Sequence, residues 1–496
     1  MNKILILIIS SIIILSCNPQ PEKNTVVAEV VNKPNFLFCI ADDWSYPHAG
    51  AYGDKVVRTP NFNRVAKDGL LFMNAFTASP SCAPSRAAIL TGQEMWRLEE
   101  GSVLFGALSN KFPVYTQILR DNNYEVGFTG KGYGPGDLER GGWAENPAGT
   151  AYQAVVAEVP EGIRGTDYSA NFEQFLNQIN GDKPFCFWYG ASEPHRRYEY
   201  GIGAANGYNL EQIKVPEFLP DTEETRNDVA DYYFEVEWFD KHLGRMLQLL
   251  EENGMLDNTV VVVTSDNGMP FPRAKSNLYN YGNQMPLAIR WGKSTTNPKV
   301  IHNPVSLTDI APTFLDLAGI EHADAMTGQS LAPLLLGQVE EAPRDFVVTG
   351  LERHTIARPD NKGYPIRAIH TRDYTYIHNF EPDRWPAGGP DFDAWPQGIY
   401  GDVDGGASKS LFLDNPDQWK NLFKLAFGKR PQEEFYRTDS DPFQLNNLAE
   451  SPEILKQKES LKKQLFDYLT ATGDPRMEGL SPWDDYPFAG GEDWEN

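Results

Sequence analysis

Between residue 34 and about residue 345, short and wholly apolar runs alternate with longer stretches whose apolar residues recur every three to four positions. The runs Phe36–Ala41, Glu125–Thr129, Phe185–Gly190, Thr259–Ser265 and Pro286–Trp291 lack the in-and-out alternation of a half-exposed strand. They predict strands buried on both faces. The stretches Asn61–Asp68, Val114–Asn122, Ser169–Gln178, Thr225–Glu252 and Thr308–Ala318 predict helices. The last is entered through Thr308-Asp-Ile-Ala-Pro, capping chemistry ahead of an apolar face. Such alternation indicates an α/β domain, 34–345, with a mainly parallel sheet between helices and functional residues at the strand carboxyl ends.

After Pro343 the pattern changes. Short strands are predicted at Phe346–Gly350, Ile366–Thr371, Tyr374–Asn379 and Glu434–Tyr436, and a helix from about Glu453 to Thr470. Residues 346–496 therefore read as a smaller α+β domain with an antiparallel sheet. A Gly-, Pro-, Asp- and Trp-rich insertion, about Glu381 to Gln418, has the length and composition of a binding loop. There is no internal repeat.

The N-terminus opens Met1-Asn2-Lys3, continues as a nearly unbroken apolar run to Leu15, and ends Leu15-Ser16-Cys17. A basic head followed by an apolar run too short to span a bilayer predicts an export signal. The Leu-Ser-Cys ending resembles a bacterial lipoprotein lipobox, which implies cleavage before Cys17 and acylation of its thiol. Residues 1–17 are then a signal peptide and 18–33 a tether. The expectation is an exported lipoprotein in the periplasm, anchored to the outer membrane by lipid only.

Composition narrows the partners. The 496 residues carry 44 Lys+Arg against 68 Asp+Glu, a net charge of −24, which opposes a broad nucleic-acid-binding face. An anionic substrate must instead be met by a local pocket of specific cations. Of the four cysteines, Cys39 and Cys186 sit in strand-like runs and read as core residues, a disulfide between them having no spacing logic.

Cys82 is different. In Ser81-Cys-Ala-Pro-Ser-Arg86…Thr91-Gly92, Pro84 suits a first helical turn and Gly92 a helix end, so Cys82 sits at a helix N-terminus, which favours negative charge. Arg86 lies one turn further on. Read from the residues alone, Cys82 is either a nucleophile or a structural helix start.

This stretch resembles the Cys-x-Pro-Ser-Arg…Thr-Gly signature of type I sulfatases, in which a maturation enzyme oxidises the cysteine to formylglycine (3-oxoalanine). Further motifs follow in order: a strand ending Asp42-Asp43, then Thr129-Gly-Lys131, Glu193-Pro-His195, Thr264-Ser-Asp266-Asn267-Gly, Lys275, and Asp439-x-Asp-Pro442…Asn446-Asn-Leu448. Pro194-His-Arg196 and Pro270-Phe-Pro…Ser276-Asn-Leu-Tyr279 are most similar to the heparan N-sulfatase (sulfamidase) branch. The resemblance implies an alkaline-phosphatase-like fold and a metal site made by Asp42, Asp43, Asp266, Asn267 and residue 82. Three carboxylates and an amide oxygen past strand ends independently suit Ca²⁺, and Mg²⁺ less well.

Carried over, the family's mechanism gives residue 82 as a formylglycine hydrate: one hydroxyl attacks sulfur and the second later releases sulfate. Arg86, Lys131 and Lys275 stabilise the charge, and His195 or Lys275 protonates the leaving group. One departure is that Tyr133 stands where many members carry a histidine. Arg353 and His354, ending the second domain's first strand, are substrate-recognition candidates, and Trp385, Trp395 and Tyr400 are candidate sugar-stacking residues. The expected activity is hydrolysis of sulfate esters on a sulfated polysaccharide or oligosaccharide. Alternatives are an N-sulfoglucosamine sulfohydrolase, a phosphodiesterase or phosphonate monoester hydrolase of the superfamily, or a non-catalytic glycan-binding lipoprotein.

Overall fold

The structure, a computed structural model, describes residues 33–488 apart from 182, 293–294, 296–297 and 394–397. The expected export signal, Cys17, most of the expected tether and Trp395 lie outside the described residues. The larger sheet contains β1 (Asn35–Ala41), β2 (Leu70–Phe76), β3 (Glu125–Gly130), β4 (Thr150–Ala151), β5 (Phe185–Gly190), β6 (Thr259–Ser265), β7 (Gln284–Trp291), β8 (Lys299–Ile301) and β9 (Val305–Ser306). Their spatial order is β4-β3-β5-β1-β6-β7-β2-β8, with β9 against β2. Only β7 among them runs against the rest, pairing antiparallel with β6 and β2.

The central strand shows why the apolar runs do not alternate. Leu37, Cys39 and Ala41 enter one core cluster, with Phe62, Phe172 and Phe239 from the helices Pro60–Lys67, Tyr168–Leu176 and Glu223–Glu252. Phe36, Phe38 and Ile40 enter the other, with Leu90, Leu119 and Phe314 from Cys82–Thr91, Tyr115–Asp121 and Ile310–Leu317. Both faces are covered, so both sets must be apolar. Cys39 and Cys186 lie in opposite clusters, and both are free thiols. Strand β2 was illegible in the sequence because its register shifts between Phe72 and Ala75, where Met73-Asn74 interrupts the apolar run.

The second sheet is antiparallel, in the order β10 (Phe346–Leu351), β11 (Ile366–Thr371), β12 (Tyr374–Asn379) and β13 (Glu433–Arg437). Val348, Ile369, Tyr376 and Phe435 pack on Leu461, Leu465 and Leu469 of the Leu455–Ala471 helix, together with Met95 and Trp96 from the first part of the chain. Its other face meets Leu278 and Tyr279.

The described residues of the 381–418 insertion are more ordered than its composition suggests. They include the Ala407–Asp414 helix, and Tyr400 is 6% exposed with its ring 4.7 Å from Phe427. Tyr400 is therefore a core residue, which corrects the expectation that it stacks on sugars. Trp385 lies edge-on to Tyr400 and under Lys429.

Glu94 ties the two parts together by accepting a hydrogen bond from Tyr468, and its other oxygen is buried without a partner. Burial pushes its carboxyl up to about 7. A folded pKa above the unfolded one means that the folded state binds the extra proton, so this contribution is full below the unfolded pKa and lost as pH rises through about 7. Glu94→Gln should therefore raise the thermal midpoint at about pH 8, by the equivalent of ~1–3 kcal/mol, and scarcely change it near pH 4. Calorimetry at the two pH values checks this.

Candidate active site

Strands β1 and β6 are parallel neighbours in register Ala41↔Ser265, so the two residues that follow each strand arrive side by side. Asp42, Asp43, Asp266 and Asn267 are all buried. Asp43 adopts φ 79°, a left-handed conformation unusual for a residue with a side chain and typical of constrained functional sites. Asp266 Oδ1 accepts from the backbone N–H of Asp43 (3.2 Å) and of Asn267 (2.8 Å), which fixes the corner.

Carboxylate oxygens of Asp42, Asp43 and Asp266 lie within 4.8 Å of one another. The Asn267 amide donates to Asp43 Oδ1 and to the Gly268 carbonyl, while its own Oδ1 is buried without a partner. Burial pushes Asp43 up to about 7, and burial with the adjoining Asp42 charge pushes Asp266 up to about 6. Asp42 alone of the three is held low: against its desolvation, the Lys131 and Arg86 charges keep it ionised. Crowded carboxylates beside an orphaned amide oxygen fit a hard divalent cation.

Cys82 is the first residue of the Cys82–Thr91 helix, 2% exposed, with Sγ 3.4 Å from Asp42 Oδ1. Despite the helix N-terminus, burial and then Asp42 push the thiol well above its ordinary pKa. The thiolate that the helix start alone suggested is thus disfavoured.

Cations surround the cage. Arg86, fully buried, donates from Nε to Asp266 Oδ2 (2.8 Å) and from Nη1 to the Lys131 and Gly132 carbonyls (2.7 and 3.1 Å). Its Nη2 makes no hydrogen bond and lies 3.9 Å from Asp42. Lys131, just past β3, pairs with Asp42. Lys275 Nζ lies 2.8 Å from Asp43 Oδ2 and 3.2 Å from Asp404 Oδ2. His195, just past β5, has Nδ1 2.7 Å from the Arg196 carbonyl, so Nδ1 carries the proton. Its Nε2 lies 3.9 Å from Asp43, and burial followed by Lys275 lowers its pKa. The four residues of the cage, Cys82, Arg86, Lys131, His195 and Lys275 therefore meet at the carboxyl ends of β1, β3, β5 and β6.

A family model described as Sulfatase matches residues 34–320, more than half of the chain. The chain belongs to the sulfatase family.

A second model, described as N-sulphoglucosamine sulphohydrolase, C-terminal, matches residues 274–387. This sulfatase is 30% identical over 486 residues to the N-sulphoglucosamine sulphohydrolase of Homo sapiens, covering 89% of this chain and 91% of the relative. It is 26% identical over 525 residues to an ulvan-active sulfatase of Formosa agariphila, covering 93% and 80%. Among solved structures, one described in complex with its substrate D-glucosamine-2-N,6-O-disulfate superposes with a TM-score of 0.64 at 20% identity, covering 90% of this chain and 100% of that one. The fold is alkaline-phosphatase-like, as the sequence resemblance implied. As a sulfatase the protein is a hydrolase of sulfate esters.

The remaining sequence candidates divide. His354 reaches the sulfatase site: its Nδ1 lies 2.9 Å from the hydroxyl of Ser81, next to residue 82, and burial pushes it down to about 4. Arg353 does not. Its guanidinium is buried and donates to the carbonyls of Trp483 (3.4 Å), Tyr486 (2.7 Å) and Pro487 (3.2 Å), so it anchors the C-terminal segment. Successive residues leaving a strand point to opposite sides, and only one of this pair can face the cleft.

Tyr133 is also engaged elsewhere. Its hydroxyl accepts from Leu108 N–H (2.9 Å) and donates to the Gly106 carbonyl (3.1 Å), and the ring is buried in the core. Tyr133→Phe should leave turnover within about two-fold and cost ~1 kcal/mol of stability through the lost hydrogen bonds. Steady-state kinetics with a thermal melt checks both.

Asp404 was not singled out in the sequence. Its only signal was its place in the insertion, within Asp402-Val-Asp404-Gly-Gly. Lys275, His195 and Lys131 come from three different connections, and Asp404 joins Lys275 from the later insertion.

Proposed function

We propose that this sulfatase removes sulfate groups from a sulfated polysaccharide or oligosaccharide, with residue 82 matured to formylglycine and calcium held by Asp42, Asp43, Asp266 and Asn267. The observation that carries the reading is the Cys82 thiol, 3.4 Å from a buried three-carboxylate cage and ringed by Arg86, Lys131, His195 and Lys275. A buried thiol with a raised pKa is a poor nucleophile, whereas a hydrated aldehyde at residue 82 offers hydroxyls. Bound calcium supplies a Lewis acid for a sulfate oxygen.

The chain's own residues do the rest. Arg86 is locked by three hydrogen bonds, so its Nη2 presents fixed positive charge. Lys131 and Lys275 add charge that costs no reorganisation during reaction. Against desolvation, Asp404 and Asp43 keep Lys275 protonated. His195 is neutral at rest, and an arriving anionic sulfate raises its pKa. It then carries a proton on Nε2 for the departing sugar oxygen.

His195→Ala should lose on the order of 10²–10⁴-fold on a sulfated oligosaccharide, the usual range for general acid catalysis. It should lose much less on 4-nitrophenyl sulfate, whose phenolate departs unaided. Equal losses would move the proton-donor role to Lys275.

Sulfated glycans are supported by the names of the relatives, one acting on ulvan and one on N-sulphoglucosamine. The C-terminal match to the N-sulphoglucosamine sulphohydrolase model favours N-sulfate as a second reading. A screen of defined O- and N-sulfated oligosaccharides for released sulfate, with matched phosphorylated sugars, separates these from each other and from a phosphoester hydrolase. We further propose maturation by a formylglycine-generating enzyme and export as a Cys17-acylated, outer-membrane lipoprotein. Membrane fractionation of Cys17→Ala tests the anchor.

A further inference from the structure

We propose that Asp404 is a positioning residue for Lys275: the 381–418 insertion delivers this carboxylate into the site to fix the lysine ammonium where it meets sulfate. The inference rests on the sulfatase reading of the site. Lys275 Nζ is flanked by Asp43 Oδ2 at 2.8 Å and Asp404 Oδ2 at 3.2 Å. An ammonium has three N–H donors. One goes to Asp43, Asp404 Oδ2 holds the ammonium from a second side as an ion pair, and N–H capacity remains for a sulfate oxygen. With Asp43 alone, a flexible four-carbon side chain would be tethered at one point on the metal side. Asp404 supplies the second point.

The position of Asp404 is itself over-determined. Two residues before it, Asp402 accepts from the Thr355 N–H (2.8 Å) and hydroxyl (2.9 Å) and from Arg358 Nη2 (2.7 Å). The backbone between them is held by Lys409 Nζ, 2.8 Å from the Val403 carbonyl. Two residues after it, a Cβ on Gly406 would fall 2.3 Å from Arg196 Nη1, so any side chain there would have to displace the Arg196 guanidinium. Arg196 in turn grips Asp228 (2.7 and 2.8 Å), which also accepts from the Ser408 N–H (3.0 Å). An insertion clamped on both sides of one carboxylate, with that carboxylate on Lys275, is built to place it.

The sign of one binding change tests this. Removing a negative charge near a sulfate site, with nothing else altered, strengthens anion binding by Coulomb's law. Loss of lysine positioning weakens it. Inorganic sulfate, the product of any sulfatase, is titrated calorimetrically into the calcium-loaded, matured protein. Asp404→Ala is expected to weaken sulfate binding about ten-fold, the scale of one charge-assisted hydrogen bond. In a Lys275→Ala background the same substitution should have no weakening effect. Thermal melts accompany each variant. If Asp404→Ala does not fold, Asp404→Glu carries the comparison, weakening sulfate binding in the wild-type background and not with Lys275→Ala. Tighter or unchanged binding, or equal weakening in both backgrounds, overturns the inference alone. Absence of sulfate binding by the wild-type protein overturns the sulfatase reading of the site and the inference with it.

Discussion

Cys82→Ala is expected to abolish sulfate release, with a loss on the order of 10⁴-fold or more, while leaving a folded protein. The structure makes the two halves of that result separable. Cys82 opens its helix, and its Sγ contributes one small buried group to the second core cluster. Deleting it should change stability by no more than ~1 kcal/mol, and the thermal midpoint should scarcely move. The cage, Arg86 and Lys275 keep their partners, because none of their strong contacts runs through the thiol. A large loss of stability would instead mark Cys82 as a structural helix start.

Asp266→Ala should be more damaging, because Asp266 serves three purposes at once. It provides an oxygen of the three-carboxylate cage, the 2.8 Å partner of Arg86 Nε, and the acceptor that orders the backbone of Asp43 and Asn267. Loss of one oxygen ligand leaves a hard cation undercoordinated. Loss of the pair leaves a fully buried guanidinium short of its carboxylate, a change that costs about 3–5 kcal/mol in comparable buried ion pairs. The expected variant lacks measurable activity, retains no stoichiometric calcium by elemental analysis, and melts several degrees lower. Asp266→Asn, which keeps the shape, should recover part of the stability and little of the metal. Full activity with unchanged calcium content in Asp266→Ala would remove Asp266 from the metal site.

The legible parts of this molecule are those where one physical demand acts on consecutive residues. Strands such as Thr259–Ser265 must be apolar on both faces, and the run appears in the sequence with its observed boundaries. Asp266-Asn267 follows directly, because parallel strands open onto the cleft at their carboxyl ends. What could not be read depends on contacts distant in the chain. Leu70–Phe76 carries a bulge that breaks its pattern. Arg353 and His354 are equivalent as letters, and only the fold sends one to Ser81 and the other to the carbonyls of residues 483–487. Tyr133 occupies an expected catalytic position, yet its phenol is turned into a backbone pocket between Gly106 and Leu108. Asp404 approaches Lys275 across 129 positions of sequence, inside an insertion whose order comes from Asp402 and Asp228 and not from its composition.

Those assignments converge on the chemistry of residue 82. Mass spectrometry of the proteolytic peptide spanning residues 81–92, taken from natively matured protein that releases sulfate, tests it most directly. An aldehyde in place of the Cys82 thiol is the predicted result. An unmodified thiol in protein with full sulfatase turnover would contradict it.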